Sequence, residues 1–442
     1  MRTSRKVLFV TALTFSGPFA SSLFAYDQNV IFAFDQTRDY LLRLLDLNDD
    51  GDAIDPGEVV IFMNDADAAT GLDNSQGLLA LSPYEVFATD NFVPDNVLRL
   101  NDLNRDGDAL DPGESTIWWD GMLPDGLGLM MNPVCISTGP DDAYYLIDNN
   151  SVGSTSNPEA IYRMDDLNND GDVNDAGEVT QYFELSPPST AVTVTFDLEF
   201  DNAGAGYVYD IRDPNQIEHI DRISPDATTK TVWIDSAALF QMTGVVFVLS
   251  QDLVHDPLTD EIITSGTLGS STVLIAMRDQ NNSDTIDSGS EVRLLWRESE
   301  AGVSVGSARG ICLLPNRSMY FTEALNDQII RMVDLNEDGD YRDAGETNVF
   351  YDSAMALASG LPDAPQLLSI TGAPLPPIAR GDMNCDGVVS VGDIGPFVLA
   401  LTDPAGYEAQ FPDCDIDNGD INNDEIVSVG DIGAFVALLT GG

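Results

Sequence analysis

Apolar residues occur along most of the chain in short runs that alternate with polar ones and are bounded by turn residues. Gly310–Tyr351 shows the unit clearly: GICLL, the turn PNRS, MYFTEA, the turn LNDQ, IIRMVDLN, an acidic stretch, and TNVFY. Runs of this length between turn signals predict strands, here four per unit.

The same order recurs. The second unit reads LLALS, YEVFATD, NVLRLNDLN and STIWW; the third reads VCIST, YYLIDNN, AIYRMDDLN and VTQYF. The fourth reads LEFDN, GYVYDI, QIEHIDRIS and TVWID. The fifth reads GVVFVLSQD, VLIAMRDQN and VRLLW, with a long irregular turn over Leu253–Ser271. The first lacks an opening strand and starts at NVIFAFD, while a spare strand, QLLSIT, follows the sixth unit at Gln366–Thr371. Four-strand units at a period of roughly 40–60 residues predict a β-propeller. QLLSIT is expected to be the innermost strand of blade one, so that both chain ends close a ring of six blades and no sheet edge stays open.

Between the third and fourth strands lies an acidic stretch. It reads DLNDDGDAIDPGE at Asp46–Glu58, DLNRDGDALDPGE at Asp102–Glu114, DLNNDGDVNDAGE at Asp166–Glu178 and DLNEDGDYRDAGE at Asp334–Glu346. A worn copy stands at Asp279–Glu291, and the fourth unit has none. The opening D-x-N-x-D-G is that of a calcium loop, with oxygens at positions 1, 3 and 5 and a glycine at the bend. The candidate ligands are Asp46, Asn48, Asp50, Asp55 and Glu58; Asp102, Asn104, Asp106, Asp111 and Glu114; Asp166, Asn168, Asp170, Asp175 and Glu178; and Asp334, Asn336, Asp338, Asp343 and Glu346. The closing acids fall at positions 10 and 13, not at the EF-hand's 12, and either could complete the site. The loops are expected to staple blade hairpins with structural Ca2+.

After the stretch GAPLPPI the pattern changes to helical. DMNCDGVVSVGDIGPFVLAL, from Asp382, recurs 38 residues later as DINNDEIVSVGDIGAFVALL. Oxygens fall at loop positions 1, 3, 5, 9 and 12: Asp382, Asn384, Asp386, Ser390 and Asp393, then Asp420, Asn422, Asp424, Ser428 and Asp431. Ile394, Phe397, Val398 and Leu401 are placed on one helix face, as are Ile432, Phe435, Val436 and Leu439. This duplicated loop–helix resembles a type I dockerin over roughly the last 60 residues. The resemblance implies a calcium-folded module that docks onto a cohesin-like extracellular protein, in assemblies that typically degrade polysaccharide. Glu425 replaces a loop glycine, and Val391, Gly392, Val429 and Gly430 occupy the usual recognition positions, with Val398 and Leu399 where basic residues are common. A different partner, or docking onto the propeller, therefore stays open. The propeller units, through NRSMYFTEALNDQIIRM, resemble the NHL/SMP-30-like class. The expected fold is mainly β, a six-bladed β-propeller followed by a small α-helical EF-hand-like, dockerin-like domain: signal peptide 1–25, propeller 26–371, linker 372–378 and tail domain 379–442.

Composition sharpens this picture. The net charge is −55, from 74 acids against 19 bases. The four regular loops hold 22 of those acids, so bound cations would offset part of the excess. Such acidity opposes nucleic-acid or anionic-membrane binding. Arg2, Arg5 and Lys6 before VLFVTALTF read as a secretory signal, and no later segment is long enough to span a membrane. The expected location is secreted or cell-surface. Cys385 and Cys414 are expected to pair as a disulfide, and Cys135 and Cys312 to be small buried apolar residues.

Other chemistry is sparse. Acids close most second strands (Asp35, Asp90, Asp148, Asp210, Glu323), and a basic residue recurs in most third strands (Arg43, Arg99, Arg163, Arg331). These read as acid–arginine pairs or, alternatively, as a carboxylate ring at the channel mouth. His219 is placed where the other blades have arginine, and His255 in the irregular turn of unit five. There is no HExxH or phosphate loop. The reading is a non-catalytic propeller that binds a glycan or protein and is tethered by its tail; the alternative is a lactonase-like or glycan-processing enzyme carrying a dockerin.

Overall fold

The computed structural model describes residues 29–440 apart from 49, 65–71, 92–94, 122–131, 150–158, 187–192, 213–216, 248–251, 307, 324, 375–379, 386–388, 412, 413, 415 and 422–426. The expected signal peptide, most of the linker and the ligands Asp386, Asn422 and Asp424 lie outside those residues.

Six antiparallel sheets form the blades of a propeller. Blade one pairs Leu367–Pro374, Asn29–Asp35, Tyr40–Leu44 and Val59–Asn64, from the innermost strand outward. The late strand therefore sits inside the first blade, with Phe32 opposite Thr371 and Asp35 opposite Leu367. Blades two, three, four and six each run through four consecutive strands, starting at Leu78–Ser82, Pro133–Thr138, Thr193–Phe200 and Ala308–Leu313. Each innermost strand lies beside that of the next blade, and the sixth beside the first, so the ring closes.

Blade five corrects the sequence reading. The stretch taken as an irregular turn is a hairpin, with Leu253–Asp256 as the innermost strand and Glu261–Leu268 as the second. Val245–Val246, read as part of the blade's first strand, pairs with the far end of Glu261–Leu268. Thr264, Ser265 and Gly266 made this strand look like loop, yet Thr264 and Ser265 are buried in the ring. Here tertiary burial overrides local polarity.

The core is distributed among the seams. Six buried apolar clusters each combine residues of two adjacent blades, such as Tyr320 and Phe350 with Leu42 and Leu44, or Phe87 and Trp118 with Tyr162 and Met164. A blade is a twisted sheet with two apolar faces and is stable only when both are covered.

The C-terminal segment carries helices Ile394–Thr402, Pro404–Gln410 and Ile432–Thr440. Cys385 and Cys414 form a disulfide, with Cα atoms 5.7 Å apart. Phe397 and Phe435 stack with ring centroids 4.5 Å apart, over Met383, Ala400 and Tyr407. The single helix face expected from spacing is divided: Phe397 and Phe435 are buried, whereas Ile394, Val398, Ile432 and Val436 are exposed. These helices are apolar nearly all round, so spacing alone did not select the buried side.

Because Leu367–Pro374, which follows the sixth blade, completes the first blade, truncation discriminates sharply. A chain ending at residue 366 is expected to lose a single cooperative melting transition, and one ending at residue 374 to keep it, as followed by circular dichroism.

Candidate metal loops and the central channel

Each acidic loop is built by its own side chains. In the first, Asp46 accepts from the Asp50 and Gly51 N–H groups, Asn48 Oδ1 from Asp50 N, and Asp50 from Asp52 N. Gly51 takes φ +98°, which favours glycine at the bend. The Asn48 amide nitrogen lies 2.7 Å from Asp55 Oδ2 and 3.1 Å from Asp50 Oδ2. Positions 3, 5 and 10 thus converge. Asn104 bridges Asp106 and Asp111 alike, Asn168 bridges Asp170 and Asp175, and Asn336 bridges Asp338 and Asp343.

The position-13 glutamate does different work. Glu58 accepts from Leu47 N with one oxygen and Asp55 N with the other, both at 2.9 Å. Glu114, Glu178 and Glu346 repeat this clamp and, like Glu58, are buried. In the C-terminal segment Asp393 clamps Met383 and Ser390 N–H groups in the same way. The glutamate at 13 therefore corresponds to the aspartate at 12 of the shorter loops, and the acid at 10 points among the donors. An oxygen-rich set that brings two carboxylates onto one amide suits a hard cation.

The loops bind neighbouring blades together, where hairpin staples within one blade were expected. The position-8 N–H donates to a carbonyl on the outermost strand of the preceding blade: Ala53 to Phe350, Ala109 to Phe62, Val173 to Trp118, Ile286 to Trp233 and Tyr341 to Leu295, all at 2.7–2.9 Å. Each of these five side chains is buried in that blade's apolar seam.

Arginine reinforces the same seams. Arg331 reaches Asp46 of the next loop at 3.3 Å, and Arg222 reaches Asp284 of the worn loop at 3.1 Å. Arg43 and Arg99 lie against the next loops' glycines, such that a Cβ at Gly107 or Gly171 would stand 3.5 or 3.9 Å from them. Arg293 donates to the Gly339 carbonyl. Arg163, whose next blade has no loop, turns back to Asp141 and Asp165 at 2.8 and 3.0 Å.

The expected acid–arginine pairs are overturned. Asp35 is paired across the ladder with Tyr40, and Arg43 with Phe32, so acid and base stand at opposite ends of the hairpin. Asp35 instead receives N–H groups of Thr37 and Arg38, and Glu323 those of Leu325 and Asn326. Asp35 and Glu323 thus cap turns. His219 is not at the arginine position, which belongs to Arg222. His255 lies on an innermost strand, with Nε2 3.1 Å from Asp260 Oδ1.

The channel holds acids that the sequence reading passed over or left unused. A cavity of about 310 Å³ is lined by all six innermost strands, including Asp197, Glu199, Asp252 and Arg309. A β-bulge between Thr195 and Asp197 re-aims the Asp197 side chain. Asp197 accepts from Leu253 N at 2.6 Å, from Leu198 N at 2.9 Å and from the Cys135 thiol at 2.9 Å. Glu199 receives the His255 N–H and Asp252 the Ile311 N–H, while Thr371 Oγ1 receives that of Ala80. Innermost strands leave a ladder edge open to the channel, and side chains of the preceding blade fill it. Burial pushes the Asp252 carboxyl well up, helped by the charge of Asp197 and a hydrogen bond with it. Glu199 is raised by burial and then by Asp197. Burial also pushes up the Cys135 thiol, and raises that of Cys312 to about 12. The only available signal was an acid at alternate positions of VTVTFDLEF, and apolar neighbours hid it.

No protein-family model matches the chain, and no curated protein matches it either. Among solved structures, the chain is similar to one in a nidogen/laminin complex, at 12% identity and TM-score 0.47, over 78% of this chain and 98% of that one. It is similar to a PQQ-bound aldose sugar dehydrogenase from Streptomyces coelicolor, at 15% identity and TM-score 0.43, over 69% and 86%. A gluconolactonase from Xanthomonas campestris gives 15% identity and TM-score 0.39, over 78% and 88%. Values this low carry no argument about activity; the strand order within each sheet is what establishes the propeller.

Two measurements test the site. Tyr341→Ala removes a buried position-8 plug and is expected to cost about 3–5 kcal/mol in chemical denaturation, against about 1 kcal/mol or less for the half-exposed neighbour Arg342→Ala. Asp252→Asn tests the channel. A raised carboxyl gives its full stability below its unfolded pKa and loses it as pH rises through the folded value. The variant's melting temperature is therefore expected to gain on the wild type's as pH rises from about 4.

Proposed function

We propose that the protein is an exported, calcium-stabilised propeller that binds a glycan or protein, tethered through its C-terminal segment to a larger extracellular assembly. The observation that carries the calcium reading is the position-3 amide set between two carboxylates in four loops, each clamped by a buried glutamate. Asp46, Asn48, Asp50 and Asp55, with Glu58 behind them, would hold the first ion, and the other three loops would do likewise. The bound cation would neutralise carboxylates that otherwise repel, and so tighten the seam each loop closes. The Cys385–Cys414 disulfide supports an oxidising compartment. Among the described residues, no helix is long and apolar enough to cross a membrane.

The tether reading rests on a repeated exposed strip. Val391, Ile394 and Val398 in one half and Val429, Ile432 and Val436 in the other are all exposed, Val391 at 78% and Val429 at 76%. Matching apolar strips in the two halves suit docking onto a cohesin-like partner. An enzymatic reading is favoured by one feature, the hydrogen-bonded Asp197 and Asp252 carboxyls in the channel. Both acids also accept backbone N–H groups, which favours the structural role.

Calorimetry on chelator-treated protein is expected to find at least four calcium sites, and chelation to lower the melting temperature substantially. Two or fewer sites, or an unchanged melting curve, would refute the calcium reading. The intact chain is expected to capture a partner from the native extracellular fraction, and Val391→Asp with Val429→Asp to abolish capture without altering the melting curve.

A further inference from the structure

Blade four departs from the repeat twice. It has no acidic loop, and it buries charge where the other blades bury hydrocarbon. The residue just before the third-strand arginine is Leu42, Leu98, Tyr162 and Ile330 in blades one, two, three and six, and the corresponding residue of blade five is Ile275; all are buried. In blade four that residue is Asp221, only 1% exposed. His219 stands two residues earlier on the same face, and Asp210 lies directly across the ladder from it. Both are buried. Burying such groups is costly; four other blades bury an acid at the place of Asp210 (Asp35, Asp90, Asp148 and Glu323), but none buries a carboxylate at the place of Asp221. A local departure of this kind marks a site better than it marks a fold requirement.

The donors are placed for a metal ion. His219 Nε2 is 3.6 Å from Asp210 Oδ2 and 3.5 Å from Asp221 Oδ1. One ligand atom from each of the three residues lies within 4.8 Å of the others. Tetrahedral ligands at about 2.0–2.2 Å from an ion stand about 3.3–3.6 Å apart, which the two histidine–carboxylate separations match. Lys230 Nζ is 3.8 Å from Asp210 Oδ2 and 2.8 Å from Asp221 Oδ2, the oxygen that does not face His219. It orients that carboxylate, as outer partners of metal ligands do.

We propose that Asp210, His219 and Asp221 form a binding site for one transition-metal dication of the zinc class, with Lys230 positioning the carboxylate. One imidazole and two carboxylates suit such an ion, whereas calcium asks for six to eight oxygens. The site is thus distinct in ligand chemistry from the acidic loops, and it does not rest on the calcium reading.

The test uses the full chain, stripped by chelator and resupplied with excess Ca2+ to fill oxygen-only sites. Titration with Co2+ is expected to give one saturating equivalent with the visible bands of a low-coordinate, nitrogen-bearing site, displaced by Zn2+. His219→Gln and Asp221→Asn are each expected to weaken Co2+ binding at least ~10-fold. The chain has two histidines, so histidine-labelled wild-type protein gives an answer that needs no variant to fold. Zn2+ is expected to shift the ring resonances of His219 and leave those of His255 unchanged. Absence of a saturable Co2+ band in the presence of calcium, or unmoved His219 resonances at saturating Zn2+, overturns the proposal.

Discussion

The structure depends on one contact made five times: the N–H at position 8 of an acidic loop donates to the preceding blade's outermost strand, and the side chain behind it is buried in that blade's seam. A propeller blade cannot cover its own faces, so the stability of the ring lies between blades. The loops place a polar, charge-rich bend at that boundary and drive one apolar residue across it. The plug ranges from Ala53 to Tyr341, so the geometry is fixed while the volume follows the local seam. Arginines from the preceding blade fall on the same loops, tying loop charge to the same joint.

The channel side of each blade meets a different constraint. Innermost strands crowd together around an axis and leave backbone N–H groups unpaired along one edge. Asp197, Glu199, Asp252 and Thr371 each reach forward to the next blade's strand and accept such a group. Burial in the narrow cavity, and then the nearby Asp197 charge, raises the Glu199 and Asp252 carboxyls. The ring is therefore held by charged loops at its rim and by buried acids that accept backbone N–H groups at its centre.

Blade four shows what happens where the clasp is missing. Arg163 has no loop to reach and folds back on its own blade, while Asp210, His219, Asp221 and Lys230 form a buried polar cluster inside the neighbouring sheet. A repeat protein supplies its own controls, since five blades show which positions the fold requires to be apolar.

The sequence by itself determined the repeat, the number of blades and the closing role of QLLSIT, because period-two patterning and turn residues are local and strong. It also located the acidic loops, whose side chains fold them from within. It did not reveal that those loops clasp adjacent blades, since the partner carbonyls lie tens to hundreds of residues away. Nor did it find Asp197 and Glu199, whose role exists only where six strands converge, or the strand at Glu261–Leu268, whose Thr-Ser-Gly stretch is a strand only because the ring buries it. The helix faces of the C-terminal segment were undecidable from spacing, because apolar residues on all sides leave the choice to packing. Tertiary structure decided what depends on neighbours, and the chain decided what a residue can settle with its own backbone.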